Sequence, residues 1–166
     1  PLRNGLSMTK ALLPDHLAQD VGDVEVIFML NGCQDGSGEY LRSLKNRRIH
    51  AVYVPPPHGV SRAWNHGLNW CFENEAEHVL VINNDIRLHK STYRWLVADG
   101  GAFVTAVGVI MDPKGIVGLS EPKPEAKRPH PDFSCYLIRR STWGTVGPFD
   151  EGFLGGYCED WDYHCR

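Results

Sequence analysis

The chain has 166 residues, of which 42% are hydrophobic and 22% charged, so its composition is that of a globular protein and excludes wholesale disorder. Its formal net charge is −3, and its Arg residues cluster only as the short pairs 47–48 and 139–140, which argues against a nucleic-acid binder. No apolar run approaches the roughly 20 residues that a membrane-spanning helix needs.

The cysteines indicate a reducing compartment. There are five, an odd number, and no two of them form a C-x-x-C pair, so neither a disulfide framework nor a zinc site is expected. The eight histidines also lack the spacing of a zinc site. Reduced thiols in a cytoplasmic protein are therefore the simplest interpretation.

In chain order, the first elements alternate between helix and strand. Residues 6–21 favour a helix that Pro14 must start or kink. The apolar run at residues 24–30 (VEVIFML) predicts a buried strand, and residues 49–54 predict another. Between them, Ser37 is positioned to cap a short helix.

The second half of the chain continues this alternation. Apolar residues recur at helical spacing from Val60 to Phe72, which predicts an amphipathic helix. Ser91 and Gly100 are typical start and stop signals of a further helix. The remaining predicted strands are residues 79–82, 102–110 and 133–138. Such alternation predicts an α/β sandwich with a mostly parallel sheet, whose ligands bind at the carboxyl ends of the strands.

The first loop after a predicted strand, residues 31–37 (NGCQDGS), is small and polar. A turn followed by a helix cap explains it without any function. Alternatively, the loop lines a nucleoside pocket, with Asn31 or Asp35 bonding to the base or the ribose.

The segment Asn83-Asn84-Asp85 follows the predicted strand at residues 79–82. An Asx turn is the structural explanation. The functional one is a cation site, because Mg²⁺ and Mn²⁺ prefer oxygen ligands and Mg²⁺ commonly takes one or two carboxylates together with substrate phosphates.

The adjacent acids Glu159 and Asp160 form the third candidate site. Two acids at the start of a helix can simply favour its dipole. They can also supply a general base, because a carboxylate is ionised at neutral pH and can accept a proton from a hydroxyl.

Taken in order, these segments resemble the family 2 glycosyltransferases, and their rhamnosyltransferase-like branch most closely. The resemblance rests on residues 1–4, 30–37 (LNGCQDGS), 58–68 (HGVSRAWNHGL), 79–86 (VLVINNDI) and 133–166. The last segment contains Arg-Arg, Val-Gly, Phe-Asp-Glu and Glu-Asp in the order that the family shows.

The resemblance implies a GT-A fold, a Rossmann-like α/β/α sandwich with a mostly parallel mixed sheet. It implies one catalytic domain over residues 1–166, shortened at both ends. Asp85 would bind Mn²⁺ or Mg²⁺, and Asp160 would be the catalytic base, supported by Glu159. The residues implied in nucleotide-sugar binding are Asn31, Asp35, Arg62, Asn65, Asn83 and Asn84.

The expected activity is transfer of a sugar, with inversion, from a nucleoside-diphosphate sugar (UDP- or dTDP-linked) to a glycan or another hydroxyl acceptor. The alternative is a nucleotide-sugar-binding module with little or no turnover, because Leu30 stands where the family usually has Asp and the chain stops early. A sugar-phosphate nucleotidyltransferase would need a Gly-rich, Arg-containing loop after the first strand, which the sequence lacks.

Overall fold

A computed structural model describes residues 1–22, 24–57, 59–106, 109–112, 115–119, 133–153 and 158–166. In these residues, strands alternate with helices through most of the chain, which confirms the predicted α/β class. The helices are α1 (Leu6–Leu17), α2 (Ser37–Ser43), α3 (Val60–Glu73), α4 (Thr92–Asp99), α5 (Arg140–Val146) and α6 (Glu159–Cys165). The strands are β1 (Val26–Leu30), β2 (Ile49–Tyr53), β3 (His78–Ile82), β4 (Phe103–Thr105), β5 (Val109–Asp112), β6 (Gly115–Leu119) and β7 (Cys135–Arg139).

The strands pair in both directions. β1 and β2 are parallel, with Val26 opposite Ile49 and Leu30 opposite Tyr53. β7 lies between β3 and β4 and is antiparallel to both, and β5 is antiparallel to β6. The sheet structure is thus mixed, but antiparallel pairs outnumber the parallel pair within the described residues. A buried strand is a continuous apolar run in either direction, so periodicity alone does not reveal its direction.

Helix α3 follows its apolar stripe closely. Ala63, Trp64, Leu68 and Phe72 are all buried, as the helical spacing predicts. α4 ends where expected, at Gly100, which adopts a left-handed conformation with φ 81°.

Two predicted helix caps use different hydrogen bonds from those expected. Ser37 is the first residue of α2, and its hydroxyl donates to Asp35 at 2.6 Å instead of capping the helix. Ser91 does precede α4, but its hydroxyl donates to Asp20 at 2.7 Å. In both cases the hydroxyl donates to a nearby carboxylate, whereas a helix cap would require its oxygen to accept from a backbone N–H. Pro14, which the sequence predicts to start or kink a helix, lies inside α1.

The central strand β7 separates two parts of the core. Tyr136 and Ile138 belong to a cluster with α3, whereas Cys135 and Leu137 belong to a cluster with Leu96 of α4. Successive side chains of a strand point to opposite faces, so the two helices cover opposite faces of this sheet. Tyr163 of α6 belongs to the cluster with α3, so α6 lies on the same face of this sheet as α3.

Across the described part of the chain, no helix has both the length and the apolar character that crossing a bilayer would require. All five cysteines are free thiols.

Candidate functional site

Asn31 directly follows β1 and is buried, with 5% of its surface exposed. Its backbone N–H donates to the carbonyl of Leu2 at 2.8 Å, and its Nδ2 donates to the carbonyl of Gly59 at 3.2 Å. Its Oδ1 accepts no hydrogen bond within the described residues. Asn31 therefore ties the loop to the start of α3 and retains a buried acceptor, which is the type of group that usually acquires a partner.

Asp35 holds the same loop together. Its Oδ1 accepts hydrogen bonds from the Ser37 hydroxyl at 2.6 Å and the Ser37 N–H at 3.1 Å, and its Oδ2 accepts from the N–H of Leu6 at 2.8 Å. The hydrogen bond from the Ser37 side chain is the main cause that lowers the pKa of Asp35 to about 2. Both carboxylate oxygens thus brace α1 and α2, so any contact of Asp35 with a nucleoside would have to share them.

Arg62 and Asn65, on α3, meet at the segment that contains Phe149 and Glu151. Arg62 donates to Glu151 at 2.8 Å and to the carbonyl of Pro55 at 3.1 Å. Asn65 donates to the carbonyl of Phe149 at 2.9 Å and to Glu151 at 3.1 Å, and its Oδ1 accepts from the Phe149 N–H at 2.8 Å. The two residues therefore anchor this segment, while their predicted contact with a donor remains a prediction.

Asn83, Asn84 and Asp85 form the turn after β3. The backbone N–H of Asn83 donates to the carbonyl of Ser134 at 2.9 Å, and its carbonyl accepts from Ile86 at 3.3 Å. Asp85 is exposed. The described residues contain no group of three or more His, Cys, Asp or Glu side chains that could hold a metal ion. Among acidic side chains, a cation here would thus rely on Asp85, with further oxygen atoms from Asn83, Asn84 or a ligand.

Glu159 and Asp160 begin α6 but occupy different environments. Glu159 is buried, with 5% exposed, and this desolvation is the main cause that raises its pKa. Asp160 is half-buried, and its Oδ1 accepts from the N–H of Trp161 at 2.8 Å. Asp160 is therefore the acid of this pair that remains partly accessible.

The amino end of β7 connects the turn after β3 with α6. Asn83 bonds to Ser134 there, and the neighbouring Phe133 packs against Phe149 with ring centroids 6.2 Å apart. Phe149 in turn stacks on Tyr163 of α6 at 3.9 Å. The segments that contain Asp85 and Asp160 are distant in sequence, but a continuous series of contacting residues thus connects them.

The sequence interpretation did not assign a role to Glu151 or to Tyr53. Glu151 joins Arg62 to Asn65, and the Phe-Asp-Glu motif was its only signal. Tyr53 lies opposite Leu30 at the carboxyl end of β2, with 60% of its surface exposed. An exposed aromatic ring beside a ligand-binding edge can stack on a nucleobase or a sugar.

A cavity of about 390 Å³ lies elsewhere, between β1, α3 and β3. Its walls are largely apolar and include Ile27, Met29, Leu68 and Val79. None of the predicted site residues lines it. The chemistry suggested by the acids is therefore not located in this cavity.

The comparison with protein families gives a match that covers most of the chain. The family described as Glycosyl transferase family 2 matches residues 1–154. A search of curated proteins found no match. The family match confirms the predicted GT-A fold, and it contains Asn31, Asn65 and Asp85 but ends before Glu159.

Proposed function

Because the chain belongs to glycosyl transferase family 2, we propose that it transfers a sugar, with inversion, from a nucleoside-diphosphate sugar to an acceptor hydroxyl. The observation that carries this proposal is the family match over residues 1–154, which includes the acidic turn after β3. A UDP- or dTDP-sugar is the proposed donor, and a glycan or another hydroxyl compound is the acceptor. The rhamnosyltransferase-like branch and a cytoplasmic location are proposed as well, the latter from the five free thiols.

Asp85 is the proposed metal ligand, with Mn²⁺ or Mg²⁺ as the ion. It is exposed in the turn after β3, beside Asn83 and Asn84, so the residues present offer oxygen atoms. Such a set fits a hard divalent cation that takes its other ligands from a diphosphate and from water. When bound, the ion offsets the negative charge that develops on the leaving diphosphate.

Asp160 is the proposed base. Inversion by a single displacement requires the acceptor hydroxyl to attack from the side opposite the leaving group, so the proton acceptor must be separate from the diphosphate site. Asp160 is the candidate because it lies on α6, a separate element from the turn after β3 that contains Asp85. Glu159 is too buried to receive a proton directly from an acceptor.

The nucleoside is proposed to bind at the carboxyl ends of β1 and β2. Asn31 contributes its buried Oδ1 acceptor just after β1, and Tyr53, which lies opposite Leu30, contributes an exposed aromatic face at the same edge of the sheet. Asp35, Arg62 and Asn65 keep the surrounding segments in place, since their polar groups already bond within the protein.

One observation favours the alternative, a nucleotide-sugar-binding module with little turnover. Leu30 is buried, with 4% exposed, and packs in an apolar cluster with Leu2, Phe28 and Leu41. A carboxylate that recognises the nucleoside is therefore missing from this strand end, which would weaken donor recognition.

A thermal-shift screen of UDP, dTDP and GDP, each with and without Mn²⁺, tests the proposal on the native chain and on Asp85→Ala. The expected result is metal-dependent stabilisation by a pyrimidine diphosphate that disappears in Asp85→Ala, because ligands that bind only the folded state raise its stability. Glu73→Ala, at the exposed end of α3, is the control acid and should respond like the native chain. Equal stabilisation of Asp85→Ala would remove Asp85 from the metal role. Release of nucleotide from a donor sugar separates the enzyme from the binding module.

A further inference from the structure

Four polar atoms lie buried around the start of α6 without a hydrogen-bond partner or an ion pair in the described residues; a fifth, Asp162 Oδ2, lies 3.0 Å from the Arg166 guanidinium. The four are Trp64 Nε1, Tyr136 Oη, Glu159 Oε2 and Tyr163 Oη. Each of these residues is at most 5% exposed. Buried polar atoms in native proteins nearly always have a partner, so four of them together require an explanation.

The four residues belong to one region of the core. The rings of Trp64 and Tyr136 meet edge to face, with centroids 5.7 Å apart. Trp64, Tyr136 and Tyr163 belong to one buried cluster, and Glu159 lies one helical turn before Tyr163 on α6. Desolvation raises the pKa of Tyr136 well above its usual value, with Tyr163 and Glu159 as further causes. Helices α3 and α6 and strand β7 thus contribute these four residues to one region of the core, which we call the polar pocket.

The chemistry of the four atoms is complementary. Trp64 can only donate, and the hydroxyls of Tyr136 and Tyr163 can donate as well, whereas the Glu159 carboxylate accepts. An internal water molecule typically needs two to four such partners and forms about three hydrogen bonds. Because all four atoms are buried, a water molecule fits them better than a sugar or a nucleotide.

We propose that ordered water in this pocket links Trp64, Tyr136 and Tyr163 to Glu159, and that Glu159 is thereby a positioning residue that fixes the first turn of α6. The role of Asp160 rests on the proposed function: because Asp160 is the next residue, the same anchor sets the direction of the proposed base. Cys158, just before the helix, has φ 74°, a conformation that is unfavourable for a residue other than glycine and needs support from its neighbours.

The test compares Glu159→Gln with Glu159→Leu. Gln retains a polar group of the same shape, whereas Leu removes the acceptor. Hydrogen–deuterium exchange of the amides in α6 should be close to native in Glu159→Gln and clearly faster in Glu159→Leu. Tyr163→Phe should accelerate exchange in the same amides, and the exposed His164→Gln, on the same helix, should leave it unchanged. Native exchange rates in both Glu159→Leu and Tyr163→Phe would overturn the pocket as an anchor.

A crystal structure of the native chain tests the water directly. It should contain at least one ordered water within hydrogen-bonding distance of two of the four atoms. Direct bonds from the tyrosines to Glu159, with no water between them, would overturn the proposed link.

Transfer kinetics test the positioning role. Glu159→Leu should lower kcat about 100-fold, the loss expected from a displacement of about 1 Å, with an unchanged KM for the donor. Glu159→Gln should retain most of kcat and the native pH profile. A Glu159→Gln variant that folds but transfers nothing would overturn positioning, because Glu159 would then act as a charge. If the native chain has no transferase activity, the proposed function fails. Hydrogen–deuterium exchange and crystallography would still decide whether water in the polar pocket anchors α6.

Discussion

Asn65→Ala should destabilise the protein strongly, because Asn65 binds both backbone groups of Phe149. The side chain is 4% exposed, accepts from the Phe149 N–H at 2.8 Å and donates to its carbonyl at 2.9 Å. A buried group left without its partner costs about 1–3 kcal/mol, so two such groups cost about 2–6 kcal/mol. Partial entry of water lowers this cost, and we expect the free energy of unfolding to fall by about 3 kcal/mol. For a chain of this size, that lowers Tm by about 6–12 °C.

Urea denaturation followed by circular dichroism measures this loss. Arg62→Ala is the matched control on the same helix, because its ion pair with Glu151 is partly exposed and should contribute only about 0–1 kcal/mol. Asn65→Asp retains an acceptor for the Phe149 N–H but loses the donor, so it should also be less stable than native at neutral pH. A loss below about 1 kcal/mol in Asn65→Ala would refute the bracing role and would favour the predicted contact with the donor.

Three further results are expected. The pKa of Asp35 is lowered from 3.8 to about 2, so the ionised carboxylate stabilises the folded state fully above pH 3.8. This stabilisation is lost as the pH falls towards 2, so the Tm difference between native and Asp35→Asn should shrink across that pH range. Burial raises the pKa of the Cys71 thiol to about 11, so iodoacetamide should label the exposed Cys158 and Cys165 in the native state but reach Cys71 only after unfolding, as mass spectrometry can determine. Tyr53→Ala should weaken binding of a pyrimidine diphosphate about tenfold in calorimetry, because stacking of a base on an aromatic ring contributes about 1–3 kcal/mol. Unchanged affinity would exclude stacking of the base on Tyr53.

The helices and strands could be predicted largely from sequence, because burial leaves a periodic pattern. The stripe on α3 and the stop at Gly100 are local signals, and both are confirmed. The direction of β7 was not accessible, since a central strand is apolar whether its neighbours are parallel or antiparallel.

The predicted site residues show a similar limit. Sequence identified polar residues after strands, but it could not reveal which of them bond within the protein. Asp35 and Asn65 are committed to segments 29 and 84 residues away, respectively, so their partners could not be read from local patterns. The burial of Glu159 likewise depends on tertiary packing, and it distinguishes Glu159 from the adjacent Asp160.

The most direct test compares how the two acids affect binding and transfer. Calorimetry gives the affinity for the pyrimidine diphosphate with Mn²⁺, and a single-turnover assay gives the rate of transfer from the donor sugar, for Asp85→Asn and Asp160→Asn. We predict that Asp85→Asn loses metal-dependent affinity, whereas Asp160→Asn binds like the native chain but transfers no sugar. Native transfer by Asp160→Asn, or native metal-dependent affinity in Asp85→Asn, would contradict the division of roles between the two carboxylates.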